Sequence, residues 1–161
     1  MIRVATWNVN SVRQRIDHLC RWLDELKPDV VLLQEIKSME ETFPREAIEE
    51  KGFHVEISGQ KTFNGVAIIS RFPIDVQLTA LPGDKDDVQA RYLEAITGGI
   101  RVASIYLPNG NPVSDPAKYQ YKLKWMERLY KHAQNLLKAE EAFVLGGDYN
   151  IIPTNDDVHD P

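Results

Sequence analysis

The chain has 161 residues, of which 43% are hydrophobic and 27% charged, and carries a net charge of −5. That length buries a real core in one domain, or in one large piece of one, and the acidic balance excludes a protein that grips nucleic acid by bulk positive charge alone. A polyanionic partner would need a metal cation or a local basic rim.

The single cysteine, Cys20, excludes an internal disulfide and a Cys-rich zinc site, and fits a reducing, cytoplasmic compartment. The first residues form no long apolar h-region, so no signal peptide is expected. The longest apolar runs, such as residues 30–33, are far too short to cross a bilayer. The expectation is a soluble cytoplasmic monomer that makes no membrane contact.

Residues 2–9 alternate as a strand with Asn8 at its end. Ser11, with Gln14 three residues on, predicts a capping box opening a helix whose stripe is Val12, Ile16, Leu19, Leu23 and Leu26. Pro28 stops that helix. Residues 29–33 then form a continuous apolar run, the pattern of a strand buried on both faces, and deliver Gln34 and Glu35 to its far end. The β-α-β order predicts a crossover unit within an α/β protein.

Pro44 predicts the start of a short helix that Gly52 closes. Residues 53–58, 66–70, 74–81, 89–97 and 100–107 read as strands, with Gly98-Gly99 as a hairpin turn between the last two. Residues 116–140 predict one long helix with Tyr119, Leu123, Met126, Leu129, Tyr130, Ala133 and Leu137 as its apolar stripe. Ala142-Phe143-Val144-Leu145-Gly146-Gly147-Asp148-Tyr149-Asn150 follows as a second buried strand ending in two glycines, an acid, an aromatic and an amide. Gly-Gly-Asp is also ordinary turn chemistry, which leaves a turn as the alternative there. Residues 151–161 read as a loop, and the expectation is that a C-terminal part is missing.

Polar groups recur at strand ends: Asn8, Glu35, the Tyr106–Asn109 corner, and Asp148 with Asn150. Singly, Glu35 reads equally as a surface acid, Asn8 as a residue leading into a helix, and Pro108-Asn109-Gly110 as a plain turn. Together they describe an oxygen-rich, thiol-free site. Oxygen ligands select hard cations such as Mg²⁺ or Mn²⁺ over zinc, so phosphoryl chemistry is the reaction class they point to. No Gly-x-x-x-x-Gly-Lys-Ser/Thr loop, Gly-x-Ser-x-Gly elbow or Gly-x-Gly-x-x-Gly fingerprint is present. The histidines have no zinc spacing, and His18 and His132 read as structural members of amphipathic helices.

Five motifs in order carry a resemblance: Thr6-Trp7-Asn8-Val9-Asn10-Ser11-Val12-Arg13, Leu33-Gln34-Glu35-Ile36-Lys37, Asn64-Gly65-Val66-Ala67-Ile68, Tyr106-Leu107-Pro108-Asn109-Gly110 and Gly146-Gly147-Asp148-Tyr149-Asn150-Ile151. The chain resembles the N-terminal part of an exonuclease III family enzyme of the endonuclease/exonuclease/phosphatase superfamily. The Tyr-x-Pro-Asn-Gly motif and the following Lys118-Tyr119-x-Tyr121-Lys122 resemble its DNA-repair branch more closely than its lipid and sugar phosphatases.

The resemblance implies an α/β fold, the N-terminal part of a four-layer α-β-β-α sandwich of mixed sheets (deoxyribonuclease I-like), with residues 1–161 an incomplete domain lacking its C-terminal part. It implies a Mg²⁺-dependent phosphodiesterase, Mn²⁺ being able to substitute. The implied substrate is double-stranded DNA, cut beside abasic sites and trimmed from 3′ ends. By resemblance, Glu35 is the principal metal ligand with Asn8 beside it. Asp148 orients or deprotonates the attacking water, and Asn150 orients that acid or the phosphate oxygens; both stand at the metal. Tyr106 donates its hydroxyl to the phosphate or its leaving oxygen. Asn109, Lys118 and Arg91 are implied contacts around the phosphate and DNA.

The family's C-terminal part supplies a further aspartate and a late Asp-His pair, which this chain lacks. His159-Asp160 is read as loop structure and not as that pair. The alternatives are the same fold acting on phosphoinositide, sphingolipid or RNA, and a truncated chain that binds metal or a partner without turnover.

Overall fold

The computed structural model describes residues 1–112 and 114–157. His159 and Asp160 lie outside the described residues. In chain order the elements are β1 (Val4–Asn8), α1 (Val12–Leu26), β2 (Val30–Gln34), a 3-10 turn (Glu40–Thr42), α2 (Arg45–Glu49), β3 (His54–Ser58), β4 (Val66–Ser70), β5 (Ile74–Leu78), β6 (Tyr92–Thr97), β7 (Ile100–Tyr106), α3 (Pro116–Lys138), β8 (Phe143–Asp148) and a 3-10 turn (Asn155–Asp157).

The strands form two sheets, ordered β1-β2-β4-β3 and β5-β6-β7-β8. Each is mixed. β1 runs parallel to β2 and β7 parallel to β8, while every other pairing is antiparallel. A parallel pair cannot be closed by a tight turn and needs a crossover, and here α1 and α3 supply the two crossovers. Both parallel pairs therefore end at the same edge of the molecule.

Alternation along β2 sorts its side chains into two cores. Val31 and Leu33 pack outward with Val12, Leu19 and Leu23 of α1 and Ile48 of α2. Val30 and Leu32 pack inward, with Val66 and Ile68 of β4, against Leu93, Ala95 and Val102 of the second sheet. A third core lies outside that sheet, where Trp125 and Leu129 of α3 cover Tyr92, Ala103 and Ile105. The order helix, sheet, sheet, helix is the four-layer sandwich expected from the sequence.

Several local expectations change. Ser11 makes no side-chain cap and has a φ of 82°. The backbone N–H groups of Ser11 and Val12 donate instead to the carbonyls of Glu35 (2.8 Å) and Ile36 (3.1 Å). The chain leaving β2 thus meets the donors of Ser11 and Val12 at the helix start, and the capping box is not formed. The predicted α3 stripe is also rotated: Trp125, Leu129 and Leu136 are buried, while Tyr119, Leu123, Tyr130 and Leu137 are exposed. Polar side chains share that packed side, where Tyr121 donates to Asp87 and His132 bonds Glu94 beneath the helix.

β5 and β6 are shorter than expected, so Arg91 falls just ahead of β6. β8 is half-buried along its whole length, not fully buried, with β7 as its strand partner among the described residues. Its two glycines are inside the strand and not in a turn. A Cβ at Gly147 would lie 2.0 Å from the Ile105 carbonyl oxygen, and one at Gly146 would lie 2.7 Å from Leu32 Cδ1.

Candidate active site

The parallel registers bring the strand ends together. Asn8 pairs with Gln34 at the ends of β1 and β2, and Tyr106 with Asp148 at the ends of β7 and β8. The two sheets face each other at this edge, and Asn8 closes the gap between them. Its Nδ2 donates to Glu35 Oε1 and to Asp148 Oδ2, each at 2.8 Å. One amide thus holds two carboxylates from different sheets against a single nitrogen. The Asn8 oxygen is turned away, accepting from the Asn10 N–H at 3.1 Å.

Glu35 follows β2 directly and adopts a left-handed backbone with φ 50°. Asn10, Ser11, Lys37 and Asn150 around it also have positive φ, between 41° and 82°. Left-handed non-glycine residues cost on the order of 1–3 kcal/mol each and persist where surrounding structure over-determines them. The backbone bonds from Ser11 and Val12 that cap α1 are part of that constraint, because they land on Glu35 and Ile36.

Burial pulls the Glu35 carboxyl upward, but hydrogen bonds from Asn8, Lys37 and Tyr106, with the Lys37 charge, outweigh it and hold the carboxyl below its ordinary range. Lys37 Nζ stands 2.9 Å from Glu35 Oε2 and 2.5 Å from Asn10 Oδ1. Tyr106 is pushed up to about 12, by burial first and then by its hydrogen bond to Glu35. It is therefore a protonated donor throughout the neutral range. The Arg91 guanidinium lies over the Tyr106 ring, 4.8 Å from its centroid, and also donates to the Tyr106 carbonyl at 3.3 Å. At that distance a cation–π contact fixes ring and cation together.

Asp148 has a second brace. The backbone N–H of Asn150 donates to Asp148 Oδ1 at 2.9 Å, and Asn150 Nδ2 donates to the Leu107 carbonyl at 2.8 Å. Asn150 locks the acid to the end of β7. Lys122 of α3 secures the same loop, donating to the carbonyls of Asn150 (2.6 Å) and Asn109 (3.3 Å).

Of the residues picked from the sequence, Asn8, Glu35, Tyr106, Asp148, Asn150 and Arg91 converge. Asn109 is exposed at the rim, its side chain accepting from the Asn111 N–H. Lys118 does not reach the cluster and lies 3.8 Å from Asp115, more than half exposed. The lysines that do approach are Lys37 and Lys122. Lys37 stood in a quoted motif without a role, and Lys122 lies one helical turn beyond Lys118.

The donor set is two carboxylates with neighbouring amides and a hydroxyl. Among the described residues no group of three or more Asp, Glu, His or Cys converges. One or two carboxylates completed by water and substrate oxygens is the usual way Mg²⁺ is held, and the low-lying Glu35 carboxyl supplies the charged form such an ion needs. The residues fit a hard divalent cation and do not fit zinc.

Residues 5–161 match the sequence profile of the Endonuclease/Exonuclease/phosphatase family. The exodeoxyribonuclease III of Haemophilus influenzae is 31% identical over 98% of this chain and 60% of its own length. Among solved structures, an AP endonuclease from Archaeoglobus fulgidus is 39% identical with a TM-score of 0.91, over 99% of this chain and 61% of that one. The 3′ phosphatase NExo from Neisseria, solved with a product DNA hairpin, is 37% identical with a TM-score of 0.93, over 100% of this chain and 62% of that one. The chain thus spans about three fifths of the length of each of these three proteins.

Proposed function

The chain belongs to the endonuclease/exonuclease/phosphatase family, and on that footing we propose that its cluster is a Mg²⁺-dependent phosphodiesterase site acting on DNA at abasic positions and 3′ ends. The observation that carries the reading is the Asn8 amide bonded to both Glu35 and Asp148 across the two sheets. Similarity to an exodeoxyribonuclease III, an AP endonuclease and a DNA-bound 3′ phosphatase supports the substrate class.

Phosphodiester hydrolysis needs a positioned water, a group to take its proton, and stabilisation of charge growing on the phosphate oxygens. Asp148, braced by Asn8 and Asn150, is placed to accept the proton at its carboxylate. Tyr106, still protonated at neutral pH, is placed to donate to a phosphate oxygen, with Arg91 stacked on its ring adding positive charge nearby. Glu35 and Asp148 would hold the cation, which when bound supplies the Lewis-acid charge an acidic protein lacks.

The test is incision of a duplex carrying one abasic site, with Mg²⁺ and with chelator, beside an undamaged duplex, an RNA and a phosphoinositide. Incision that needs Mg²⁺ and favours the abasic duplex is expected. Turnover of RNA or lipid alone would transfer the site to the other reading of this fold. Binding of the duplex with no cleavage in Mg²⁺ would make this chain a binding module.

A further inference from the structure

Along the strands, the space between the two sheets changes from apolar to polar. Towards the site, inward positions read Val30, Leu32, Gln34 on β2 and Val102, Ser104, Tyr106 on β7; β1 reads Val4, Thr6, Asn8. Directly beside the cluster, Gln34, in register with Asn8, and Ser104, two residues before Tyr106, are 1% and 0% exposed. Gln34 Nε2 donates to Ser104 Oγ across the sheets at 3.1 Å and to the Leu32 carbonyl at 3.0 Å. Ser104 Oγ donates back across the interface to the Leu33 carbonyl at 2.8 Å, and Thr6 Oγ1 donates to Gln34 Oε1 at 3.2 Å. These bonds join β1, β2 and β7.

Each member of this layer stands one or two residues before a site residue: Thr6 before Asn8, Gln34 before Glu35, Ser104 before Tyr106. Gly146, paired in register with Ser104, stands two before Asp148, and leaves no room for a side chain against Leu32. A buried polar network costs desolvation that an apolar layer of the same shape avoids. What it adds is direction, since hydrogen bonds fix lateral setting where methyl groups only fill space. A second polar bridge crosses the same interface away from the site, where Ser70 Oγ and Thr97 Oγ1 lie 2.6 Å apart. Both of its residues are also buried.

We propose that Gln34 is a positioning residue for the site: through Ser104 and Thr6 it sets β7 and β1 against β2, and so fixes the geometry in which Asn8 meets Glu35 and Asp148. Its kinetic consequence rests on the phosphodiesterase reading, whereas its structural consequence rests on the hydrogen bonds alone. Ser70–Thr97 is the internal control, a bridge of similar burial with no site residue next to it.

The test compares Gln34→Met and Ser104→Ala with Ser70→Ala. The first readout is the side-chain amide signals of Asn8 by NMR. In the Gln34 and Ser104 variants the Asn8 amide shifts, and its protons exchange about tenfold faster; in Ser70→Ala they match wild type. The second is cleavage of the abasic duplex, where Gln34→Met loses kcat by about tenfold or more with KM within about twofold, and Ser70→Ala keeps both. Unchanged Asn8 signals in Gln34→Met and Ser104→Ala would overturn the proposal, as would equal changes in all three variants. If Gln34→Met does not fold, Ser104→Ala decides. A wild-type chain that cleaves nothing counts against the phosphodiesterase reading, and the Asn8 signals still decide the role of Gln34.

Discussion

β2 and β8 do the same job in different ways. Each is the later strand of a parallel pair and each brings a carboxylate to the shared edge, Glu35 from β2 and Asp148 from β8. β2 is buried at every position, with β1 and β4 as partners. β8 is half-buried at every position, with β7 as its strand partner among the described residues. Glu35 is therefore fixed by the core and by the backbone that caps α1, while Asp148 depends on two polar contacts, Asn8 and the Asn150 N–H. Site side chains bond both carboxylates, but Glu35 also follows a strand that the core holds on both faces.

That contrast predicts unequal responses to truncation. Leu33→Ala, at a fully buried position of β2, should cost about 2–5 kcal/mol. Val144→Ala, on the half-buried β8, should cost clearly less, about 0.5–1.5 kcal/mol, the range for removing modest apolar volume at a site free to relax. Urea denaturation of both variants measures the difference, and equal losses would remove the contrast.

Gly147→Val separates the strands further. The new side chain cannot coexist with the Ile105 carbonyl, so β8 should part from β7 while β2 and β4 stay intact. Hydrogen exchange should then rise in residues 143–148 and not in residues 66–70. Loss of protection in both would mean the two sheets open as one unit.

The polar contacts give smaller effects. The Glu35 carboxyl lies below its ordinary value of 4.5, so the stability it contributes is full above that value and is lost as pH falls through its folded-state pKa. Lys37→Ala weakens that depression, so its stability deficit should be present at neutral pH and close on acidification. The pair is partly solvated, which limits the deficit to about 0.2–1 kcal/mol. Unfolding curves at several pH values measure it, and a deficit that widened in acid would contradict the assignment. Glu35→Gln should also lower the Tyr106 pKa from about 12, because the carboxylate's share of its rise is removed. Tyrosinate absorbance in alkaline titration reports that shift.

The strand that the core holds was the more legible in sequence. Residues 29–33 read as a strand buried on both faces because an unbroken apolar run has few other solutions, and the structure places β2 there. β8 has a similar apolar run, but how deeply a strand is buried depends on its neighbours in the sheet and not on its own residues alone. The start of α1 was misread for a related reason: its cap comes from the carbonyls of Glu35 and Ile36, more than twenty residues away in sequence. On α3 two apolar stripes compete, and the buried one packs on Tyr92, Ala103 and Ile105 and beside Asp87 and Glu94, partners that sequence distance hides. The site residues were visible as polar strand ends, and the resemblance grouped them. The Asn8–Asp148 bond, spanning 140 positions, was not visible, nor were the roles of Lys37 and Lys122.

The central proposal is that Glu35 and Asp148, joined through Asn8, form one hydrolytic site with Tyr106. Asp148→Asn tests it most directly, because the change keeps size and removes the proposed base. Incision of the abasic duplex in Mg²⁺ should fall by about 10²–10⁴-fold, the usual contribution of a general base, with duplex binding largely retained. An Asp148→Asn variant that cuts at the wild-type rate would contradict the account.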